Sequence, residues 1–327
     1  MKIGLTFDLR KDYLERGYSL EETAELDSEE TIQGLERSLA GNGFRTERIG
    51  ALPDLCRDLE RGKTWDLVFN IAEGLHGLGR ESAVPAVLDA WRVPYVFSDP
   101  MVLALTLHKG ATKRVVRDLG LATPGFFLVE RPEDVERIDL AFPLFAKPAA
   151  EGTGKGIEAA SRVWNRDELE QVCAKLLDRF KQPVLVEEYL PGREFTVGVV
   201  GTGPKARVVG VMEVLLRDSA QPGAYTYSNK ADYERVCEYR LVSDQAAEAS
   251  AELTLAAYRG LGLRDAGRAD IRLDKDGRPS FMEINALPGL NPVHSDLPIM
   301  CSLDGLSHQD LIGMIMDSAL ERIKGAR

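Results

Sequence analysis

The stretch GRADIRLDKDGRPSFMEINALPG, residues 267–289, decides how the whole chain is read. Asp276 and Gly277 sit between apolar runs and signal a two-residue hairpin, because both central positions of a type I′ turn take positive φ. The register set by that loop puts Asp270 opposite Glu283 and Arg268 opposite Asn285. Strand side chains alternate, so these four share one face, with opposed Cβ atoms roughly 5 Å apart. Two carboxylates that close repel one another unless a cation lies between them. Asp270, Glu283 and Asn285 offer hard oxygen donors suited to magnesium, with manganese as the alternative ion, and magnesium also binds substrate phosphates. Arg268 is left to clamp an anion beside the metal. The plainer alternative is a solvated edge hairpin. The opposite face (Ala269, Ile271, Leu273, Phe281, Met282, Ile284) speaks for burial, although Phe281 and Met282 are neighbours and one of them must share the polar side. An EF-hand loop is excluded, since its pattern needs Asp where Arg272 stands.

A second stretch, KPAAEGTGKGIE at 147–158, concentrates glycines and lysines. It is not a Walker A loop, which would need glycine at Ala149 and Ser or Thr at Gly156. Nor is it a dinucleotide fingerprint, because GIEAASRVW has the β-branched and aromatic residues of a returning strand rather than a long helix. The expectation is strand, glycine loop, strand. Glu151, Gly152, Thr153, Gly154 and Gly156 then form a cradle whose backbone N–H groups reach phosphate oxygens, and Lys147 supplies a fixed charge on the strand before it. Lys155 is a mobile contributor. Taken alone, the loop also reads as a surface hairpin with solvated lysines.

Around these motifs, KIGLTF, FRTERIG and WDLVFNIAEG read as strands separated by helical stretches, with a further strand in VPYVFS. Strand alternating with helix gives an amino-terminal α/β domain with a parallel sheet over residues 1–99. VLALTLHKGATKRVVRDLG reads as a helical region. FPLFAKPA and QPVLVEEYL are strands flanking an amphipathic helix, RDELEQVCAKLLDRF, and complete a small lobe over 100–190. Strands dominate from REFTVGVVG, and helices close a third part over 191–327.

The 327 residues carry a formal net charge of -11, with 44% hydrophobic and 28% charged side chains. That balance describes a globular chain and argues against a surface that grips nucleic acid. No apolar run spans a bilayer and MKIGLTFDLR lacks a signal-peptide core, so a cytoplasmic, membrane-free protein is expected. Cys56, Cys173, Cys237 and Cys301 are scattered, without metal spacing, and read as reduced thiols.

The glycine loop between strands, the lysine before it, VEEYLPGREFTV after it and the RxD and ExN hairpin together resemble the ATP-grasp superfamily. The closest likeness is to the D-alanine-D-alanine ligase family. It extends over YVFSDP, LHKGATKRVVRDLGLATPGF, GRADIRLD and MEINALPGLNPVHS, nearly the whole chain. The resemblance implies the ATP-grasp fold behind a Rossmann-like parallel-sheet domain, with ATP and magnesium as cofactors and small amino acids as substrates. It implies that Lys109 and Lys147 contact ATP phosphates, that Glu187, Glu188 and Leu190 hold adenine and that Glu194 accepts from the ribose. Asp270, Glu283 and Asn285 match its metal ligands, and Arg268 its charge-stabilising arginine. Gly289 and Ser295 fall in the acceptor segment, beside His294, whose part is open. Lys230 matches a lysine of a loop over the phosphates, and a homodimer is a further expectation. The implied reaction is carboxylate attack on the γ-phosphate, giving an acylphosphate that an amine then opens to an amide.

Departures concern the first substrate. The family's HGGxSxE loop is replaced by FDLRKDYLERGYSLEETAELDSEE, where Glu25, Glu29 or Glu30 are the substitutes for its glutamate. Glu73 stands where the family has histidine and is read as a binder of a cationic group, with Glu81 as a lesser candidate. The family's serine is Thr153, and a tyrosine is Ala231. The competing readings are an ATP-grasp ligase with a substrate other than D-alanine and a nucleotide-binding module without turnover. An NAD-dependent oxidoreductase is a third, which leaves the carboxylate hairpin unexplained.

Overall fold

The computed structural model describes residues 1–216 and 237–325. An amino-terminal α/β layer comprises β1 (Lys2–Thr6), α1 (Arg10–Glu15), α2 (Glu29–Gly41), β2 (Arg45–Gly50), α3 (Leu52–Glu60), β3 (Leu67–Asn70) and α4 (Ala83–Ala90). Its strands form a parallel sheet ordered β2-β1-β3. Ser28 caps α2 by accepting from the Thr31 amide. The fourth strand read in VPYVFS shrinks to one bridge between Val68 and Tyr95. Pro94 has no amide to donate, and Phe97 takes φ 74°, which turns the chain away after a single register.

The helical region that follows is two helices, α5 (Pro100–Leu107) and α6 (Lys109–Asp118). His108 leaves helical geometry at ψ 91° and its ring accepts from the Ala111 amide. The break starts a new helix at Lys109, whose own amide bonds the Ala149 carbonyl at 2.9 Å.

The central lobe is an antiparallel sheet, ordered β4-β7-β5-β6, made of β4 (Phe126–Val129), β5 (Leu144–Pro148), β6 (Arg162–Val163) and β7 (Val184–Glu188), with α7 (Arg166–Phe180) packed on it. Strand, loop, strand is correct in topology, since β5 and β6 pair antiparallel. The returning strand is only two residues long, however. Thr153, Gly154 and Gly156 all have positive φ, and a 3-10 turn at Ala159–Ser161 follows, so the stretch before Arg162 cannot extend.

The third part carries a five-stranded antiparallel sheet ordered β10-β9-β8-β11-β12. Its members are β8 (Glu194–Val200), β9 (Arg207–Leu216), β10 (Cys237–Leu241), β11 (Ala266–Leu273) and β12 (Pro279–Asn285), covered by α8 (Gln245–Gly260), α9 (Asp296–Leu303) and α10 (His308–Gly325). One apolar cluster joins Ile3, Leu5 and Phe69 through Val102 and Val116 to Phe195, Ile271 and Ile315, so the first and third parts and the α5–α6 pair share a core. Val129, Leu144, Leu169, Cys173 and Val186 form a separate core in the central lobe. The division at 99/100 and 190/191 remains our proposal for the domain boundaries.

The β11–β12 hairpin is where expectation and structure differ most usefully. Asp270 pairs with Glu283 and Arg268 with Asn285, as read. The turn is nevertheless not the two-residue one. Asp274 and Arg278 are bonded across Lys275, Asp276 and Gly277, with Gly277 at φ 78°. The pairing of Ile271 with Phe281 is accordingly one residue out from the expected register, and a bulge at Met282 restores it before Glu283. Turn and bulge cancel. The bulge also settles the Phe281–Met282 conflict: Phe281 is fully buried, and Met282 is the partly exposed extra residue.

Candidate active site

A cleft of about 630 Å³ opens where the three parts meet. Its central wall is the polar face of β11 and β12. The Asp270 carboxylate accepts from the Thr196 hydroxyl at 3.0 Å and pairs with Arg268 at 3.1 Å; the other Arg268 nitrogen lies 2.5 Å from Asp296. Glu283 is 3.4 Å from Lys147 Nζ and 3.8 Å from Lys109 Nζ. Each carboxylate thus faces a cation, which relieves the repulsion that their closeness would cause.

Lys147 enters from β5 and Glu187 from the adjacent β7, and their nitrogen and oxygen are 3.0 Å apart. Burial pulls the Lys147 ammonium down, but Glu187 and then Glu283 outweigh it and hold the group above its ordinary range. Glu187 is completely buried, and Lys113 of α6 takes its second oxygen at 2.9 Å. Burial alone raises the Glu187 carboxyl, yet Lys113 and Lys147 reverse the sign and keep it ionised. The side chain of Glu187 therefore sits in a buried ion network. Glu188 accepts from the Gly125 amide at 2.9 Å, Leu190 is buried, and Glu194 meets Arg272 at 3.4 Å.

The glycine loop is held from outside. Lys109 Nζ donates to the Glu151 carbonyl at 2.5 Å, and the Glu151 carboxylate bonds Lys155 at 2.5 Å and Gln182 at 2.7 Å. The Gly152 amide donates to Glu25, which is also bonded at 2.6 Å by Arg80. Arg80 itself reaches the Ala150 carbonyl at 2.9 Å. Gly156 is required by space as well as by φ: a Cβ there would stand 2.6 Å from Pro148 and 2.8 Å from Phe180. Glu25 alone of the three candidate substitutes lines the cleft. Glu30 is exposed, and the exposed Glu29 pairs with Arg48 at 2.8 Å on α2.

Glu73 and Glu81 lie deep in the cleft beside one another, each with an edge open to it. Burial, then Glu81, Glu25 and Asp27, push the Glu73 carboxyl well above its usual range, with Arg80 opposing. Burial raises Glu81 to about 7 against the pull of Arg80. On the cleft too, Gly289 is exposed, and Ser295 Oγ accepts from the Asn291 amide at 3.0 Å. His294 bonds Asn291 through its backbone amide, and its exposed side chain lines the cleft. Lys230 and Ala231 lie outside the described residues. Cys173 and Cys301 are buried, which raises their thiols to about 12 and about 11 and disfavours the thiolate.

The donor set fits magnesium. Among the described residues no three His, Cys, Asp or Glu side chains converge, so a cation here would have two carboxylates and the Asn285 amide oxygen. Few protein ligands, with room for water and phosphate, is the arrangement magnesium prefers. Sequence reasoning missed Lys113, Asp296 and Arg80. Lys113 left a trace, for it stands four residues after Lys109 on the same helical face. Asp296 and Arg80 left none.

The family model described as D-ala D-ala ligase C-terminus matches residues 115–317. An uncharacterized protein, y4sG, of Sinorhizobium fredii is 33% identical over 266 residues, which is 80% of this chain and 77% of that protein. The D-alanine-D-alanine ligase of Bordetella petrii is 34% identical over 75% of this chain and 74% of its own. The crystal structure of D-alanine-D-alanine ligase from Bacillus anthracis complexed with ATP superposes with a TM-score of 0.75 at 22% identity, covering 100% of this chain and 99% of that one. With the glycine loop, Lys109 and the carboxylate hairpin gathered on one cleft and Lys147 paired to Glu283 beside it, the chain belongs to the D-alanine-D-alanine ligase family and has the ATP-grasp fold.

Proposed function

We propose that the protein uses ATP to join an amino acid's carboxylate to the amine of a second amino acid. The observation that carries this reading is the meeting of Lys109 and Lys147 with Glu283 across from Asp270 and Arg268, cations and hard oxygens interleaved on one wall. ATP phosphates placed there take over the lysines from Glu283. Magnesium, held by Asp270, Glu283 and Asn285, neutralises phosphate charge when bound. Lys109, Lys147 and the loop amides from Glu151 to Gly156 grip the phosphates, while Glu187, Glu188, Leu190 and Glu194 border the nucleoside.

The acid substrate's carboxylate oxygen attacks the γ-phosphorus and ADP leaves, giving an acylphosphate. The amine of the second substrate then attacks the acyl carbon and phosphate departs with the C–O bond's electrons. Arg268 faces the carbonyl oxygen on which charge accumulates, and a guanidinium fixed on both sides by carboxylates needs little reorganisation to meet it. Glu73 and Glu81 receive an ammonium group, which draws both toward the ionised form. Gly289, His294 and Ser295 border the acceptor, and Lys230 belongs to a loop over the phosphates. A cytoplasmic location and a homodimer complete the proposal; among the described residues no helix is long and apolar enough to cross a membrane.

Glu73 and the replaced amino-terminal loop favour a second reading of substrate rather than of chemistry, a ligase whose acid or amine is not D-alanine. The test is ADP and phosphate release with Mg-ATP against D- and L-amino acids, singly and in pairs, with mass spectrometry of the product. ADP formed in step with an amide supports the reaction, and its dependence on D-alanine decides the substrate. Nucleotide binding with no turnover on any pair would favour a non-catalytic module instead.

A further inference from the structure

We infer that Lys113 is a positioning residue that aims both the phosphate-binding lysine and the metal-binding glutamate, although it touches neither ATP nor metal. The inference rests on the site assignments of the proposed function. Lys113 is wholly buried on α6 and makes three contacts through one ammonium: Glu187 at 2.9 Å, Thr123 Oγ1 at 3.0 Å and the Phe281 carbonyl at 3.2 Å.

The first contact governs Lys147. Glu187 is a buried carboxylate shared by two lysines, so each neutralises only part of it. Without Lys113, the whole charge of Glu187 falls on Lys147, because a buried carboxylate left with one partner holds that partner tightly. Lys147 then turns from the cleft toward Glu187 and is less available to a phosphate. The other contacts govern Glu283. Phe281 precedes the bulged Met282, and its backbone bonds leave the β11–β12 ladder: its carbonyl accepts from Lys113 and from Thr123 Oγ1 at 2.8 Å, and its amide donates to the Ala122 carbonyl at 2.8 Å. These bonds fix the bulge that brings Glu283 opposite Asp270. A single side chain therefore sets the spacing between a cation of β5 and a carboxylate of β12.

The experiment measures Mg-ADP binding by calorimetry across a magnesium titration, on the whole chain, so it needs no knowledge of the amino-acid substrates. Binding by the wild-type chain tests the site assignments; no binding there overturns them. Given wild-type binding, Lys113→Met is expected to weaken nucleotide affinity and to raise the magnesium requirement, each by about tenfold or more, as loss of groups that orient metal ligands does. Lys113→Arg, which keeps the charge, recovers part of both. Thr123→Val removes the hydroxyl's bond to the Phe281 carbonyl and its acceptance from Lys113 but leaves the Lys113–Glu187 pair, and is expected to shift the magnesium requirement more than the affinity at saturating magnesium; it also serves if Lys113→Met fails to fold. A folded Lys113→Met with a lower melting temperature but unchanged affinity and magnesium requirement would overturn the inference, as would a folded Thr123→Val with an unchanged magnesium requirement.

Discussion

Glu283 faces Lys109 and Lys147 and lies across from Asp270 on the adjacent strand. Glu283→Gln keeps shape and removes one charge, so the protein is expected to melt cooperatively while ADP release falls by about a hundredfold or more. Near wild-type ADP release from the folded variant would sink the metal assignment. Glu81 and Asp27 make a second claim at this scale. Burial raises Glu81 to about 7, and burial with Asp8 raises Asp27 to about 8, with Arg10 opposing. Unfolded carboxyls titrate near 4. Between these values the folded chain holds protons that the unfolded chain releases. The stability they give is complete below about 4 and is lost as pH rises through about 8. The melting temperature of the ligand-free protein should fall across that window, and Glu81→Gln should flatten the fall below about 7; an unchanged slope would show that Glu81 titrates normally.

Among the elements, the β11–β12 hairpin was the most legible in the sequence, because period-two alternation and an Asp-Gly turn are local signals. Its two polar pairs, Asp270 with Glu283 and Arg268 with Asn285, were right for a reason the sequence hid, while the pairs nearer the turn were one residue out. The three-residue turn is closed by Asp274, whose carboxylate accepts from the Asp276 and Arg278 amides, and the bulge adjoins Phe281, which is bonded to Ala122 and Thr123, partners distant in sequence. Likewise the break at His108 and the short β6 depend on contacts and backbone angles that helical or strand periodicity does not encode. The turn makes a prediction. Gly277 has φ 78° and nothing near a Cβ position, so Gly277→Ala should cost about 1 kcal/mol of stability through backbone conformation alone. Chemical denaturation checks this; a loss well beyond that, or a change in magnesium requirement, would mean the turn rather than the bulge sets the site's register.

For the molecule as a whole, the end we propose for ATP carries local sequence signals and the end we propose for the amino acids does not. Asp270, Glu283 and Arg268 stand out because like and unlike charges recur at strand spacing in one hairpin, and Lys147 because it directly precedes a glycine-rich loop. The other end is assembled from separate parts of the chain. Glu25 was one of three equivalent carboxylates until the fold brought it to Gly152 and Arg80, and Asp296 gained meaning only beside Arg268. One core spans the first and third parts, which places Glu73 and Glu81 on the cleft's far wall from residues two hundred positions later. The central claim is the reaction course, and it is tested by oxygen transfer. An acid substrate labelled with ¹⁸O in its carboxylate is turned over with Mg-ATP and an amine, and the products are weighed. The account predicts ADP together with phosphate carrying one ¹⁸O from the carboxylate. AMP bearing the label, or ADP with unlabelled phosphate, would contradict it.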